Sequence, residues 1–93
     1  MAVRFLWDRR KAASNERKRG VGFREATTVF DDSLSVAIPD PDHSVDEERF
    51  LLLGLSNRRR LPVVAHSGRG ESIRIISARR ANRRERRMYE EAE

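Results

Sequence analysis

Residues 74–89 read Arg-Ile-Ile-Ser-Ala-Arg-Arg-Ala-Asn-Arg-Arg-Glu-Arg-Arg-Met-Tyr, with seven arginines beside one glutamate and one tyrosine. A guanidinium is a planar fork of five N–H donors that fits phosphate oxygens and keeps its charge at physiological pH. A carboxylate or phenol beside it can take or give a proton. Those are the residue types that chemistry on a phosphodiester needs. The structural alternative is a solvated basic face, the usual meaning of a run of like charges.

Strand alternation sorts the candidates. It places Arg74, Ile76, Ala78 and Arg80 on one face of a strand, and Ile73, Ile75, Ser77 and Arg79 on the other. The same rule groups Glu47, Arg49, Leu51 and Leu53. Arg74 and Arg79 are the expected phosphate ligands, with Arg49 either touching the phosphate directly or supporting those that do. Glu47 is the candidate base or arginine-orienting group. Tyr89 is a proton donor or a surface for stacking a base. Each has a structural alternative: a Glu47–Arg49 ion pair ordering the sheet, and a Tyr89 ring packed on it. His43 lies in an acidic loop and reads as solvated, and His66 alternates with apolar neighbours. No ligand spacing points to a metal site or a cofactor, and Gly68 and Gly70 read as hairpin chemistry.

The charge is laid out in blocks. Residues 1–30 hold eight basic and three acidic residues, 31–48 hold seven acidic and no basic, and 49–93 hold twelve basic and five acidic. An anionic partner such as nucleic acid is expected to meet the two basic segments. Only Lys11 and Lys18 are lysines among the 20 basic residues. There is no cysteine, which excludes a disulfide, a thiolate nucleophile and a thiolate metal site. The longest apolar stretches, near Phe50–Leu55 and Leu61–Ala65, fall far short of a membrane span. Residues 1–7 hold no signal-peptide core, so a soluble, cytoplasmic protein of one domain, residues 1–93, is expected.

The elements that must position these residues follow from local signals. Arg4–Trp7 reads as a short edge strand. Asp8 is an N-cap for a helix over Arg9–Arg19, closed by Gly20, with a thin apolar face at Ala12 and Ala13. Phe23, Ala26, Thr27 and Phe30 recur at helical spacing, ended by Asp31-Asp32, and Trp7, Phe23 and Phe30 are expected core. Strands are expected over Leu34–Ile38, Glu47–Leu55, Leu61–Ser67 and Ser72–Arg79, the third pair joined by Gly68-Arg69-Gly70. Asn82 and Glu85 resemble a capping box for a last helix over about Arg83–Glu91. Arg83 and Arg84 in its first turn oppose the helix dipole, which a bound anion would explain. The class is α+β: a compact single domain with an antiparallel four-stranded sheet, an optional short N-terminal strand, two N-terminal helices and one C-terminal helix.

The chain resembles the BrnT-type toxins of type II toxin–antitoxin systems, which have a RelE-like ribonuclease fold. The resemblance runs through Phe5-Leu6-Trp7-Asp8, Lys18-Arg19-Gly20-Val21-Gly22-Phe23-Arg24-Glu25-Ala26 and Val29-Phe30-Asp31. It continues through Glu47-Glu48-Arg49-Phe50 with Gly54, then Ile73–Ala81 and Glu85–Tyr89. Arg19 departs from the histidine usual in the family, and Asn82 replaces its threonine. The resemblance implies an endoribonuclease, ribosome-independent or ribosome-linked, that arrests growth. The reaction expected of such a fold is a metal-independent attack of the RNA 2′-OH on the adjacent phosphate, for which the candidate catalytic set, taken from residue chemistry and spacing, is Arg74, Arg79, Glu47 and Tyr89. Arg49, Arg80, Arg83 and Arg84 would hold RNA phosphates. The resemblance also implies a ribbon-helix-helix antitoxin, operator DNA bound through that antitoxin, and a homodimer as one option within the complex. The competing reading is a non-catalytic nucleic-acid-binding or interaction module. A direct DNA-binding repressor is disfavoured, because no helix-turn-helix spacing is present.

Overall fold

In the computed structural model, which describes residues 3–38, 49–69 and 71–92, one mixed sheet organises the chain. Its strands among the described residues are β1 (Arg4–Leu6), β2 (Val36–Ile38), β3 (Phe50–Leu53), β4 (Pro62–Arg69) and β5 (Ser72–Arg80). They lie in the order β1-β5-β4-β3-β2. The expected meander is present, since β2, β3, β4 and β5 pair antiparallel in sequence order. The N-terminal strand joins it and makes the sheet mixed, running parallel to β5 from Arg4↔Ser72 to Leu6↔Arg74.

Helix α1 (Arg9–Arg19) begins where Asp8 accepts from the N–H of Arg10 at 2.8 Å and Lys11 at 3.2 Å. It ends where Gly20 turns left-handed at φ 76°, its N–H returning to the Glu16 carbonyl. Only glycine takes that backbone at low cost. No residue of α1 is fully buried. Ala12 packs on the core, whereas Ala13 is exposed. The helix is held largely by Asn15. Its Nδ2 donates to the carbonyls of Val21 and Ala78, both at 2.9 Å, and its Oδ1 accepts from the Ala78 N–H at 3.2 Å. This amide serves the outer edge of β5 as a neighbouring strand would, at a point beyond the end of β1.

Helix α2 (Phe23–Thr28) is shorter than expected and continues as a 3-10 turn over Val29–Asp31. The two helices cover one sheet face. Val21, Phe23, Ala26 and Val29 pack on Val64, Ile75 and Ala78, with Phe5, Trp7, Phe30 and Ile73 around them. Trp7 meets Phe23 edge-on, with ring centroids 6.1 Å apart. On the opposite face Leu53, Leu61 and Val63 form a smaller cluster with Ile38, Leu51, Ala81 and Tyr89.

Asp32 shortens two expected strands. Its Oδ1 accepts from the Leu34 N–H at 3.0 Å and its Oδ2 from the Leu55 N–H at 2.8 Å, so neither group is left for a sheet ladder. β2 starts at Val36 and β3 stops at Leu53. The start of the expected Glu47–Leu55 strand lies outside the described residues. In contrast β4 runs on to Arg69, which pairs with Ser72 where a loop was expected.

The basic turn after β3 is fixed by a buried carboxylate. Glu25 of α2 accepts from Ser56 Oγ at 2.7 Å, from Arg60 Nε at 2.9 Å and from Arg60 Nη2. The same Nη2 donates to the Gly20 carbonyl at 2.9 Å. Hydrogen bonds from Arg60 hold the Glu25 carboxyl below the usual carboxylate range, against the upward push of burial. Within this turn, closed by the Ser56 N–H on the Arg60 carbonyl at 2.8 Å, Arg59 takes a left-handed backbone at φ 60°. Glu25→Ala is expected to lower unfolding stability by about 3 kcal/mol, the cost of leaving Arg60 without its buried partner. Urea denaturation of the two proteins measures it.

Candidate active site

One irregularity in β5 decides which arginines share a face. Ala65 pairs with Ser77, but His66 pairs with Ile75, so Ile76 has no partner on β4. This is a β-bulge, and it inverts the alternation beyond it. Ile75 and Ala78, three apart, both lie in the core beneath α1 and α2. Arg74, Ser77 and Arg79 therefore share the opposite face. Simple alternation instead grouped Arg74 with Ala78 and Arg80.

The register builds this second face in rows. Arg79 lies across from Val63, whose β3 partner is Leu53. Ser77 lies across from Ala65 and Leu51. Arg74 lies across from Ser67, and extending the register one residue past Phe50↔His66 sets Arg49 on the other side of Ser67. Arg74 and Arg79 are roughly 15 Å apart along the strand at about 3.3 Å per residue. Their long side chains can meet only over Ser77, whose side chain is exposed between them.

Helix α3 (Arg83–Glu91) closes one end of this face. Asn82 Oδ1 accepts from the Glu85 N–H at 2.8 Å, and Glu85 Oε1 accepts from the Asn82 N–H at 2.9 Å, which completes the expected capping box. Glu85 has a second role. Arg79 Nη1 donates to its Oε1 at 2.8 Å and Arg79 Nη2 to its Oε2 at 2.9 Å. This bidentate pair fixes the guanidinium plane. The Arg79 bonds hold Glu85 below the usual carboxylate range against burial, and the same contact raises Arg79. The Nε–H of Arg79 makes no hydrogen bond among the described residues, so one edge of its fork is left for a ligand.

The far end of α3 is tied by Tyr89, whose hydroxyl donates to Asp32 Oδ2 at 2.6 Å. Burial pushes the Asp32 carboxyl up, but the bonds from Leu55, Tyr89 and Leu34 outweigh it and leave the group below its ordinary value. No residue of α3 is fully buried. Only Glu85 and Tyr89, one turn apart, are drawn partly inward within the helix.

The proposed site residues thus divide. Arg74 and Arg79 come together on one face, and Arg49 lies in the row of Arg74. Arg80, in register with Pro62, has the parity of Ala78 and faces the α1 and α2 side. Arg83 and Arg84 are exposed at the start of α3. Tyr89 is at the edge of the face, with its proton directed to Asp32. Glu47 lies outside the described residues, as does His43. His66 sits on the other face between Phe30 and Phe50, at centroid distances of 4.9 Å and 5.8 Å, and burial lowers its pKa. Among the described residues no cluster of ligating side chains could hold a metal ion. Sequence reasoning missed Ser77 as the midpoint of the face and Glu85 as the partner of Arg79. The signal for Glu85 was a lone acid amid six arginines, read only as a cap.

The architecture is that of a small α+β protein with one oriented guanidinium, that of Arg79, on a sheet face that also bears Arg74. The family model for the ribonuclease toxin BrnT of type II toxin–antitoxin systems matches residues 7–85, and the chain belongs to that family. The fold is similar to the crystal structure, at 1.1 Å resolution, of the Brucella abortus ribonuclease toxin BrnT. The TM-score is 0.67 at 20% identity, covering 88% of this chain and 100% of that one. No curated protein matches the chain significantly. Among the described residues no helix is long and apolar enough to cross a membrane.

The two anchors of α3 carry a pH dependence. Both carboxylates have depressed folded pKa values, so their stabilisation is complete above the unfolded value of about 4 and is lost as pH falls through the folded values. Amide exchange over residues 83–91 is expected to accelerate on acidification below about pH 4 before the core strands open. Tyr89→Phe is expected to produce the same local loosening at neutral pH, at a cost of about 2 kcal/mol for a bond to a charged group.

Proposed function

We propose that this chain is a toxin that cleaves RNA by metal-independent transesterification, with the face of Arg74, Ser77 and Arg79 as the reacting surface. Family membership makes RNA the substrate class and an antitoxin the partner. The observation that carries the site is Arg79. Its guanidinium is fixed edge-on by Glu85 with a second donor edge remaining, on the face that also bears Arg74. A donor already held in place need not reorganise as charge develops, which is the condition for transition-state stabilisation.

In the proposed reaction the ribose 2′-OH attacks the adjacent phosphorus, and the 5′-oxygen departs with a proton. A 2′,3′-cyclic phosphate remains. Arg74 and Arg79 neutralise the equatorial oxygens, Arg49 supports Arg74 from the same row across Ser67, and Arg83 and Arg84 meet flanking phosphates. Arg80 would reach a phosphate only around the strand edge. Glu47 is the proposed proton acceptor. Tyr89 donates a proton only if its bond to Asp32 opens, and otherwise acts by holding α3 at the end of the face. The whole chain acts as one toxin domain in the cytoplasm. A ribbon-helix-helix antitoxin covers the basic face, binds operator DNA for both, and can join two toxin copies in one complex.

One observation favours a second reading. Among the described residues of this face, the groups able to move protons are already committed, Glu85 to Arg79 and Tyr89 to Asp32. A binding module that kept the fold without the chemistry would look the same. Labelled RNA incubated with the purified chain in EDTA separates the two. Cleavage to cyclic phosphate ends is expected, falling about 100-fold or more in Arg79→Ala and in Arg74→Ala, the loss typical of removing one oxyanion donor. Arg74→Ala spares the α3 anchor, and thermal unfolding of both variants separates a loss of cleavage from a loss of fold. RNA retained but uncut by the wild type would favour the binding module.

A further inference from the structure

Beyond the Arg74–Arg79 face, α1 carries a second basic feature. Lys11, Ser14, Asn15 and Lys18 fall on one stripe of the helix and, with Arg19 and Ile76, line a shallow cavity of about 230 Å³. Lys11, Lys18 and Arg19 are all exposed, and none makes an ion pair or side-chain hydrogen bond among the described residues. The cavity therefore gathers three uncompensated cations and a hydroxyl around an apolar floor. Both lysines of the chain are in it, set two turns apart.

Its position is the second observation. Among the described residues no strand pairs with the outer edge of β5 beyond Leu6↔Arg74, and the Asn15 amide takes only Ala78 there. The cavity opens beside the bulge at Ile76, while Ser77 and Arg79, the neighbours of Ala78, point to the proposed reacting face. One stretch of β5 thus separates the lysine cavity from the arginine face. A single strand crossing the uncovered edge would meet both.

We infer that the Lys11–Lys18–Arg19 cavity is a second phosphate subsite, binding the backbone of the RNA strand whose reacting phosphate lies on the Arg74–Arg79 face. The inference rests on the reading of this protein as an RNA-cleaving toxin. The lysines act as point charges on a mobile backbone, and Ile76 gives a ribose or base an apolar contact. Such a subsite contributes affinity without touching the reacting atoms.

The test uses the full-length chain and a fluorescent single strand of about ten nucleotides, within the usual span of such sites, with 2′-O-methyl riboses that cannot be cut. Lys11→Ala/Lys18→Ala is compared with Arg9→Ala/Arg17→Ala, which removes the same charge from other faces of α1. The lysine pair is expected to weaken binding about fivefold or more and to flatten the salt dependence by about 1.4, the share of two phosphate contacts on a single strand. With cleavable RNA the expected change is in KM, with kcat unmoved. Equal effects in both pairs would reduce the cavity to general charge and overturn the inference. Loss of antitoxin binding with RNA binding unchanged would also overturn it, assigning the cavity to a protein partner. Absence of RNA binding by the wild type would instead sink the parent reading together with this one.

Discussion

Ile76 has no partner across the sheet, and the arrangement of both faces follows from that extra residue. A regular strand cannot bury Ile75 and Ala78 on the same side. Here both lie beneath α1 and α2, because the bulge inverts the alternation between them. The price of a bulge is a broken ladder, and it persists only where its flanks are pinned. On one side β1 pairs with β5 up to Arg74, and on the other the Asn15 amide holds both backbone groups of Ala78. The irregular segment is thus clamped at both ends, and its geometry becomes a fixed property of the fold.

The two faces are held by different forces. The α1 and α2 side relies on apolar burial, with Val21, Ala26, Val29 and Val64 fully removed from water. The α3 side relies on two directional links, Arg79–Glu85 and Tyr89–Asp32, around a small cluster of Leu53, Leu61 and Val63. That division suits a protein that must keep part of a sheet accessible to a polar ligand. Apolar packing is non-directional and would draw a helix flat over the face. Two polar tethers hold α3 at its ends and leave the arginine row beside it uncovered.

What the sequence revealed follows the distance over which each signal acts. Asp8, Gly20 and the Asn82–Glu85 box were readable because a cap is decided within four residues. The meander was readable because short connections join antiparallel neighbours. The hidden elements link distant positions: Asn15 with Ala78, Glu25 with Arg60, Asp32 with Tyr89. None has a local pattern. The bulge was hidden for another reason. Its unpaired residue is an isoleucine in a β-branched run, without the glycine that often marks such a site, and one residue of slip exchanges the faces. Arg74 and Arg79 were therefore singled out for their chemistry, while the alternation rule separated the very side chains that the fold unites.

The Arg79–Glu85 pair also bears on where positive charge resides. A guanidinium against a carboxylate is nearly neutral as a unit, so Arg79 offers a ligand direction more than field. Long-range attraction of an anionic strand must come from cations without such partners. Arg83 and Arg84 qualify, being exposed and free of ion pairs among the described residues, and so do the cations along α1. Arg83 and Arg84 sit at the positive end of the α3 dipole, where Glu85 and the capping box offset their local cost. Attraction and orientation are thus assigned to different residues. The exposed cations raise the local concentration of a polyanion and are screened by salt, whereas the fixed fork of Arg79 acts at contact distance and is much less so. A site built this way can lose affinity to salt and still keep its geometry.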